Sequence, residues 1–153
     1  MKMTWKVKRF AELTTAELYQ IYYLRTATFV VGQDRVYQEV DTRDPQAIHI
    51  FDQDDDGDVV AYARVYPIDD GAKVSFGRVV TSSKIRGRGV GRQLLSRVME
   101  TIRDNFPGKP IEIEFQKQVE GFYQKFGSTS KGGTFTFEST PHVVMVHEGL
   151  RPM

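Results

Sequence analysis

A strand that runs into a glycine-rich turn, and from there directly into an amphipathic helix, constrains this chain most. The segment is Val79-Val80-Thr81-Ser82-Ser83-Lys84-Ile85-Arg86-Gly87-Arg88-Gly89-Val90-Gly91. Glycines let the backbone turn tightly and let a ligand approach without meeting a Cβ atom. The first helical turn presents free N–H groups, and the helix dipole favours an anion there. The segment predicts a pyrophosphate cradle built mainly from the backbone, with added positive charge from Arg86 and Arg88.

The spacing in this segment excludes two common phosphate loops, since it fits neither the Walker A nor the Rossmann pattern. Two alternatives stay open on the segment alone. One is an arginine–glycine turn on the surface, and the other is a nucleic-acid-binding module that uses Lys84, Arg86 and Arg88. The net charge is only +1, from 21 basic and 20 acidic residues. That balance gives no reason to expect nucleic acid or an anionic membrane as the main partner.

The remaining sequence predicts one domain over residues 1–153, with 40% apolar residues. The predicted strands are Thr4–Phe10, Ala47–Phe51, Val59–Tyr66, Ala72–Thr81, Ile111–Gln116, Thr134–Glu138 and Val143–His147. The predicted helices are Thr15–Phe29, Gly89–Phe106 and Gln118–Phe126, with a loop and a short helix between residues 30 and 45. This order favours an α/β (α+β) fold with a mixed, mostly antiparallel sheet and helices on both faces.

Several classes of site are excluded or disfavoured by residue type. The chain has no cysteine, which excludes disulfides, thiolate metal sites and a cysteine nucleophile. Asp52, Asp54 and Asp56 match the start of a calcium loop, but Ala63 stands where a bidentate glutamate is needed. We therefore expect no metal. The N-terminus lacks an apolar signal region, and no stretch approaches the ~20 apolar residues of a membrane span, so the expected location is cytoplasmic.

The pattern Arg-x-x-Gly-x-Gly after a strand, here Arg86, Gly89 and Gly91, resembles the coenzyme A loop of GNAT N-acetyltransferases. The resemblance covers nearly the whole chain and implies a single GNAT-type domain that uses acetyl-CoA. The implied pyrophosphate ligands are Arg86, Gly87, Arg88, Gly89, Val90 and Gly91. The pantetheine arm would pair in strand fashion with Val79, Val80 and Thr81, in a gap between parallel strands. A backbone N–H near Val80 would polarise the thioester carbonyl.

A second motif, Phe122-Tyr123-Gln124-Lys125-Phe126-Gly127, resembles the later motif of the same family. In the family this tyrosine commonly lies near the acyl-CoA sulfur and protonates the leaving thiolate. Tyr123 is the matching position, and a phenol is a neutral donor at pH 7. The alternative is a helix tyrosine that packs beside Phe122 and Phe126.

The N-terminal half is similar to the ElaA/YjcF branch of GNAT proteins. The matching residues are Leu24-Arg25-Thr26-Ala27-Thr28-Phe29-Val30-Val31-Gly32-Gln33 and Tyr37-Gln38-Glu39-Val40-Asp41. The branch carries Glu where this chain has Gly32, and Val where it has Thr28. The Gly32 departure removes any substrate role that the branch glutamate would have.

Near the C-terminus, Pro141-His142-Val143-Val144-Met145 resembles the ending of GNAT enzymes that acetylate glyphosate-like amino acids. This resemblance implies His142 as the base, with Arg25 and Arg78 holding a substrate anion. Histidine titrates near the working pH of such a reaction. The alternatives are an ordinary edge-strand histidine for His142, and salt bridges to Glu39 or Asp41 for the two arginines.

Together these resemblances imply direct acetyl transfer from acetyl-CoA to a small-molecule amine within a ternary complex. Glu39 or Gln116 is expected to hold a water that can serve as the base in place of His142. A homodimer is left open. The rival function on the same fold is a non-catalytic acyl-CoA sensor.

Overall fold

The computed structural model describes residues 4–85, 88–116, 129–137 and 140–147, and from residue 114 onward it describes only the backbone. The first half contains β1 (Trp5–Arg9), α1 (Thr15–Arg25), β2 (Ile48–Gln53), β3 (Val59–Ile68) and β4 (Lys73–Thr81). The second half contains α2 (Val90–Asn105), β5 (Ile111–Gln116), β6 (Thr129–Phe137) and β7 (Thr140–His147). None of the described helices has the length and apolar content that a membrane span requires.

The strands form one mixed sheet in the order β1-β2-β3-β4-β5-β7-β6. The neighbours β4 and β5 are parallel, and the other neighbouring pairs are antiparallel. Parallel neighbours need a crossover connection, and α2 supplies it between β4 and β5. The predicted mixed, mostly antiparallel sheet is confirmed.

Helices α1 and α2 pack on opposite faces of the sheet because side chains alternate along each strand. Ile48 and Ile50 of β2 face the cluster that includes Leu94 and Leu95 of α2. Phe51, which has the opposite parity, packs in a separate cluster with Ile21 of α1. The prediction of helices on both faces is therefore confirmed.

Helix α1 begins as the sequence predicts and ends earlier. Thr14 caps it, because its Oγ1 accepts from the Glu17 amide at 3.0 Å while the Glu17 carboxylate accepts from the Thr14 amide at 2.9 Å. The α-helix ends at Arg25, and the chain continues as one wider π-turn, Thr26–Val31. The amide of Gly32 closes that turn on the carbonyl of Ala27 at 2.8 Å.

Gly32 is required by this π-turn. A Cβ atom at this position would lie 2.8 Å from the carbonyl oxygen of Ala27 and 2.9 Å from that of Thr28. Any larger residue would force the turn to shift. The departure of Gly32 from the branch pattern therefore has a local structural reason.

Other predicted elements differ in their limits. Between residues 30 and 45 the structure has the end of the π-turn and a 3₁₀ turn at Asp44–Gln46, so the predicted short helix there is no more than one turn. Strand β3 runs two residues beyond Tyr66, and β6 and β7 begin before their predicted starts. The predicted helix Gln118–Phe126 lies outside the described residues.

Candidate functional site

The parallel strands β4 and β5 separate along their length. The two strands pair at Val74 and Ile111, where the Val74 amide also donates to the Pro110 carbonyl at 3.0 Å. Farther on, β5 stays paired to β7 as far as Gln116, while β4 stays paired to β3 as far as Thr81. Within the described residues, β4 and β5 share no later pair, so a gap opens between their C-terminal ends.

A β-bulge lies in β4 where this gap begins. Gly77 pairs with Arg64 and Val80 pairs with Tyr62, so Arg78 and Val79 together oppose the single residue between those partners on β3. Arg78 has a positive φ of 53°, which is uncommon for a residue with a side chain. An extra residue bends the strand and increases its twist.

The bulge also reverses which face each β4 side chain occupies. Val74 and Phe76 pack against α2, and simple alternation would send Arg78 there too. Instead, Val79 packs on the α2 side, and Val80 packs with the α1 cluster. The Arg78 side chain turns to the α1 side, where its guanidinium lies over the ring of Phe29.

From Val79 to Ser82, successive backbone amides point alternately toward the gap and toward β3. The amide of Ser82 donates to the Val60 carbonyl of β3 at 2.7 Å. Successive amides of an extended strand point to opposite sides. The amides of Thr81 and Val79 therefore point away from β3, toward the gap.

Helix α2 starts near the C-terminal end of β4 with a free N-terminus, since Val90 packs with Ala61, the β3 partner of Thr81. Its N-cap is Gly89 at φ 71°, a conformation that glycine adopts readily, and none of the described side chains caps the helix. A Cβ atom added to Gly91 would meet nothing within 4 Å. Arg88 is exposed, whereas Arg86 and Gly87 lie outside the described residues. The described part of the predicted phosphate loop therefore offers unpaired amides and open space.

A cleft of about 680 Å³ adjoins the end of β4 on the α1 side. It is lined by α1, the π-turn, the start of β3 and the turn that follows β4, through Tyr19, Gln20, Tyr23, Leu24, Ala27, Thr28, Gly32, Gln33, Asp58, Val59, Val60, Thr81, Ser82, Ser83 and Lys84. The rings of Tyr19 and Tyr23 are exposed and lie 6.2 Å apart at its rim. Its charged groups pair with each other, since Lys84 Nζ lies 2.9 Å from Asp58 Oδ2.

Arg25 lies in a buried ion-pair network and has no exposed surface. Its Nη1 and Nη2 donate to the two carboxylate oxygens of Asp44 at 2.7 and 3.0 Å, and its Nε donates to Glu39 at 2.9 Å. Burial alone would raise the pKa of Asp44, but Arg25 and Arg64 outweigh it and lower that pKa. The structure thus places Arg25 in the salt-bridge role that the sequence left open, with Asp44 as an additional partner.

Arg78 is held by the same network from the other side. Its Nε donates to Glu39 Oε2 at 2.5 Å, and its Nη2 donates to the Glu39 carbonyl at 3.0 Å. Asp41 lies 3.6 Å from Nη2, and the ring of Tyr37 flanks the guanidinium. The Arg78 side chain keeps 20% of its surface exposed, whereas that of Glu39 keeps 3%.

Glu39 is consequently poorly placed to hold a catalytic water. Its Oε1 accepts from Arg25 at 3.1 Å, and its Oε2 accepts from both Arg25 and Arg78. The carboxylate therefore serves to join the two arginines.

His49 is an interior group on the α1 face of the sheet. Its Nε2 lies 2.9 Å from the Asp44 carbonyl, which can only accept, so Nε2 carries the proton. Its Nδ1 then accepts from the Tyr62 hydroxyl at 2.6 Å. Burial lowers the pKa of His49 and raises that of Tyr62. His49 is thus a neutral, fully bonded core histidine.

Two predicted residues lie in register on β5, which forms the far wall of the gap, and on β7, which lies behind it. Gln116, the last residue of β5, pairs with His142 of β7, and His142 also pairs with Phe135 of β6. His142 is therefore on an interior strand, which corrects the alternative of an edge-strand histidine.

Tyr123 lies outside the described residues. Among those described, no group of three or more histidine, aspartate or glutamate side chains is placed to hold a metal ion.

A split mixed sheet, with a helix on each face and an uncapped helix N-terminus beside the split, is the architecture of the acyl-CoA N-acyltransferase fold. The chain belongs to the acetyltransferase (GNAT) family, whose sequence profile matches residues 15–128. The resemblance to this family, and to its ElaA branch, is confirmed. Protein ElaA of Escherichia coli is 36% identical over 150 residues, which cover 96% of this chain and 97% of that protein.

Solved structures agree with this assignment. The crystal structure of Escherichia coli ElaA matches with a TM-score of 0.90 at 35% identity, over 96% of this chain and all 100% of that one. An acyl-CoA N-acyltransferase from Pseudomonas aeruginosa matches with a TM-score of 0.89 at 33% identity, over 95% and 99%. A CoA-dependent acyl-homoserine lactone synthase, BjaI, shares the fold with a TM-score of 0.80 at 15% identity, over 98% and 85%.

Proposed function

We propose that this protein transfers the acetyl group of acetyl-CoA to the amine of a small molecule, by direct transfer within a ternary complex. The observation that carries the proposal is the gap between β4 and β5, bordered by strand amides on one side and by the free N-terminus of α2. A thioester needs hydrogen-bond donors along an extended arm, and a diphosphate needs amides at its far end. The gap offers both sets of donors, first the strand amides of β4 and then the amides at the start of α2.

In this proposal the cofactor lies along β4 and turns at the start of α2. The diphosphate binds the backbone of residues 86–91, and Arg86 and Arg88 add positive charge. The pantetheine arm pairs with Val79 to Thr81 as an extra strand. An amide near Val80, which we now assign to Val79, polarises the thioester carbonyl. The assignment follows from the alternation that the Ser82 hydrogen bond establishes.

The acceptor enters from the cleft beside the end of β4. Its neutral nitrogen attacks the thioester carbon, the C–S bond breaks, and the thiolate leaves on coenzyme A. His142 accepts the proton that the amine loses, and Tyr123 donates the proton that the thiolate gains. The position of His142 opposite Gln116, at the end of β5, supports a place for the base one strand behind the far wall of the gap. Positioning two bound reactants supplies much of the rate.

We do not extend the substrate-anion role to Arg25, because it has no exposed surface. A carboxylate on the acceptor would also compete with Glu39 for Arg78, whose Nε is already bound at 2.5 Å. The proposed acceptor is therefore an amine that is held chiefly by the aromatic and polar wall of the cleft. Tyr19 and Tyr23 at the rim suit an organic amine, since aromatic rings attract both apolar groups and cations.

A thiol-release assay over a panel of amines tests the proposal. We expect release of free coenzyme A that depends on the amine, with acetyl-CoA preferred over longer acyl-CoA esters. A sensor on the same fold would bind acetyl-CoA without release for any amine. If the protein neither binds acetyl-CoA nor releases coenzyme A, both functions are contradicted.

A matched pair of variants localises the cofactor. Gly89 and Gly108 are both exposed glycines at positive φ, 71° and 74°, at opposite ends of α2. Gly89→Glu and Gly108→Glu therefore impose a similar backbone cost, but only the first places a carboxylate at the proposed diphosphate site. We expect loss of coenzyme A binding in Gly89→Glu alone. Equal binding by the two variants would refute the loop assignment.

A further inference from the structure

We propose that Glu39 acts as a positioning residue for the thioester: by fixing Arg78, it holds the β4 bulge that aims the Val79 amide at the thioester carbonyl. The inference rests on the proposed function, which supplies the thioester. In this inference Glu39 and Arg78 act by fixing the backbone of β4, and they do not contact the acceptor.

Arg78 has an unusual backbone conformation. Glycine is the usual residue at positive φ in a bulge, because a Cβ atom disfavours that conformation. Here an arginine occupies it at φ 53°. A conformation of this kind persists only where the surroundings over-determine it.

Contacts of the Arg78 side chain over-determine this backbone conformation. Glu39 accepts from Arg78 through both its carboxylate and its carbonyl, at 2.5 and 3.0 Å. The rings of Phe29 and Tyr37 lie 6.0 and 5.7 Å from the guanidinium. Glu39 is itself fixed by Arg25, which has no exposed surface. The Arg78 side chain is thus anchored to the interior on the α1 face of the sheet, whereas ordinary strand alternation would place it on the α2 face.

The anchored Arg78 sets the direction of the amides that face the gap. The residue after Arg78 is Val79, whose amide points away from β3 by the alternation described above. If Arg78 returned to an extended conformation, the two-against-one pairing with β3 would be lost and the strand beyond it would change face. The amides at the end of β4 would then no longer point into the gap.

Two substitutions of Arg78 separate a backbone role from a side-chain contact. Arg78→Ala removes the anchor and keeps the Cβ atom, so the bulge loses its support. Arg78→Gly removes the same contacts but adopts positive φ without strain, so the bulge persists. If the Arg78 side chain acted instead by contacting the acceptor directly, both variants would lose that contact equally.

The measurement is the infrared carbonyl band of acetyl-CoA labelled with ¹³C at the thioester carbon, bound to each variant without any acceptor. We expect a shift to lower frequency in the wild type, retention of that shift in Arg78→Gly, and its loss in Arg78→Ala. Glu39→Gln should weaken the shift of the carbonyl band when Arg78 is present. Added to Arg78→Gly, the same substitution should leave the shift unchanged. Circular dichroism establishes that each variant is folded.

The outcomes distinguish this inference from the proposed function. A shift that both Arg78 variants keep, or that both lose, overturns the positioning role while acetyl-CoA binding stands. Absence of acetyl-CoA binding in the wild type overturns both. If Glu39→Gln does not fold, the comparison of the two Arg78 variants still decides.

Discussion

Gly91→Ala should stabilise the protein and at the same time weaken cofactor binding. Gly91 is the second residue of α2, its φ is not positive, and its added Cβ atom would meet nothing within 4 Å. Glycine inside a helix is less stable than alanine by roughly 0.5–1 kcal/mol. At this first-turn position we expect a gain of about 0.5 kcal/mol in the free energy of unfolding.

The same methyl group would occupy space that we assign to the diphosphate. A hydrogen bond to a charged group contributes about 1.5–3 kcal/mol. Loss of one such bond corresponds to a dissociation constant about 10–100 times weaker, at 1.4 kcal/mol per factor of ten. Urea unfolding measures the stability, and isothermal titration with coenzyme A measures the affinity.

Ser96→Ala is the matched control, because Ser96 is an exposed residue near the middle of the same helix. It should also stabilise α2 slightly, because alanine has the higher helix propensity, and it should leave the affinity unchanged. If Gly91→Ala binds coenzyme A as tightly as the wild type does, the diphosphate does not lie against this turn, and the reasoning fails.

Three further predictions address the catalytic groups and the stability. Tyr123→Phe should lower kcat about 100-fold and leave the coenzyme A affinity intact; an unchanged kcat excludes Tyr123 as the acid. His142→Ala should remove the acidic limb of the pH–rate profile, and a limb that remains would exclude His142 as the base. Burial alone would raise the pKa of Glu17, but bonds from Thr14, Lys8 and Lys6 lower it from 4.5 to about 2. Glu17→Gln, which keeps the capping geometry, should cost about 1–2 kcal/mol at neutral pH. Because the folded pKa is depressed, the wild type should lose that advantage as the pH falls from 4.5 to about 2; a difference in unfolding free energy that does not change with pH would contradict the ion pairs.

The sequence predicted those features that follow from local pattern. Thr14 and Glu17 have the Thr-x-x-Glu spacing of a capping box, which agrees with the predicted helix start at Thr15, and the structure has both hydrogen bonds of that box. The apolar spacing of α2 placed its buried face correctly, since Leu94, Val98 and Ile102 lie in the core. The parallel pairing of β4 and β5 followed from the helix between them.

The bulge at Arg78 was not predicted, although the sequence carries a signal for it. The apolar residues on the α2 side are Val74, Phe76 and then Val79, so the period of two breaks once. That break is the pattern of an inserted residue. The positive φ of Arg78 could not be foreseen, because Arg78 is bound by Glu39, a residue 39 positions away in the chain.

The ion-pair network was predicted only in part. Glu39 and Asp41 were named as partners for the arginines, whereas Asp44 and Arg64 were not. These two residues meet because the 3₁₀ turn at Asp44–Gln46 lies against β3, where Arg64 Nη1 donates to Asp44 Oδ1 at 2.9 Å. Such contacts depend on tertiary packing, which one sequence does not display. The cleft beside α1 was missed for the same reason.

Calorimetric titration with coenzyme A and with pantetheine, which lacks the diphosphate, tests the central claim most directly. We expect measurable heat and a rise in Tm with coenzyme A, and binding at least 100-fold weaker with pantetheine, since the amides at the start of α2 lose their charged partner and the adenosine 3′-phosphate is lost with it. No heat and no change in Tm with coenzyme A, or equal affinity for the two compounds, would contradict it.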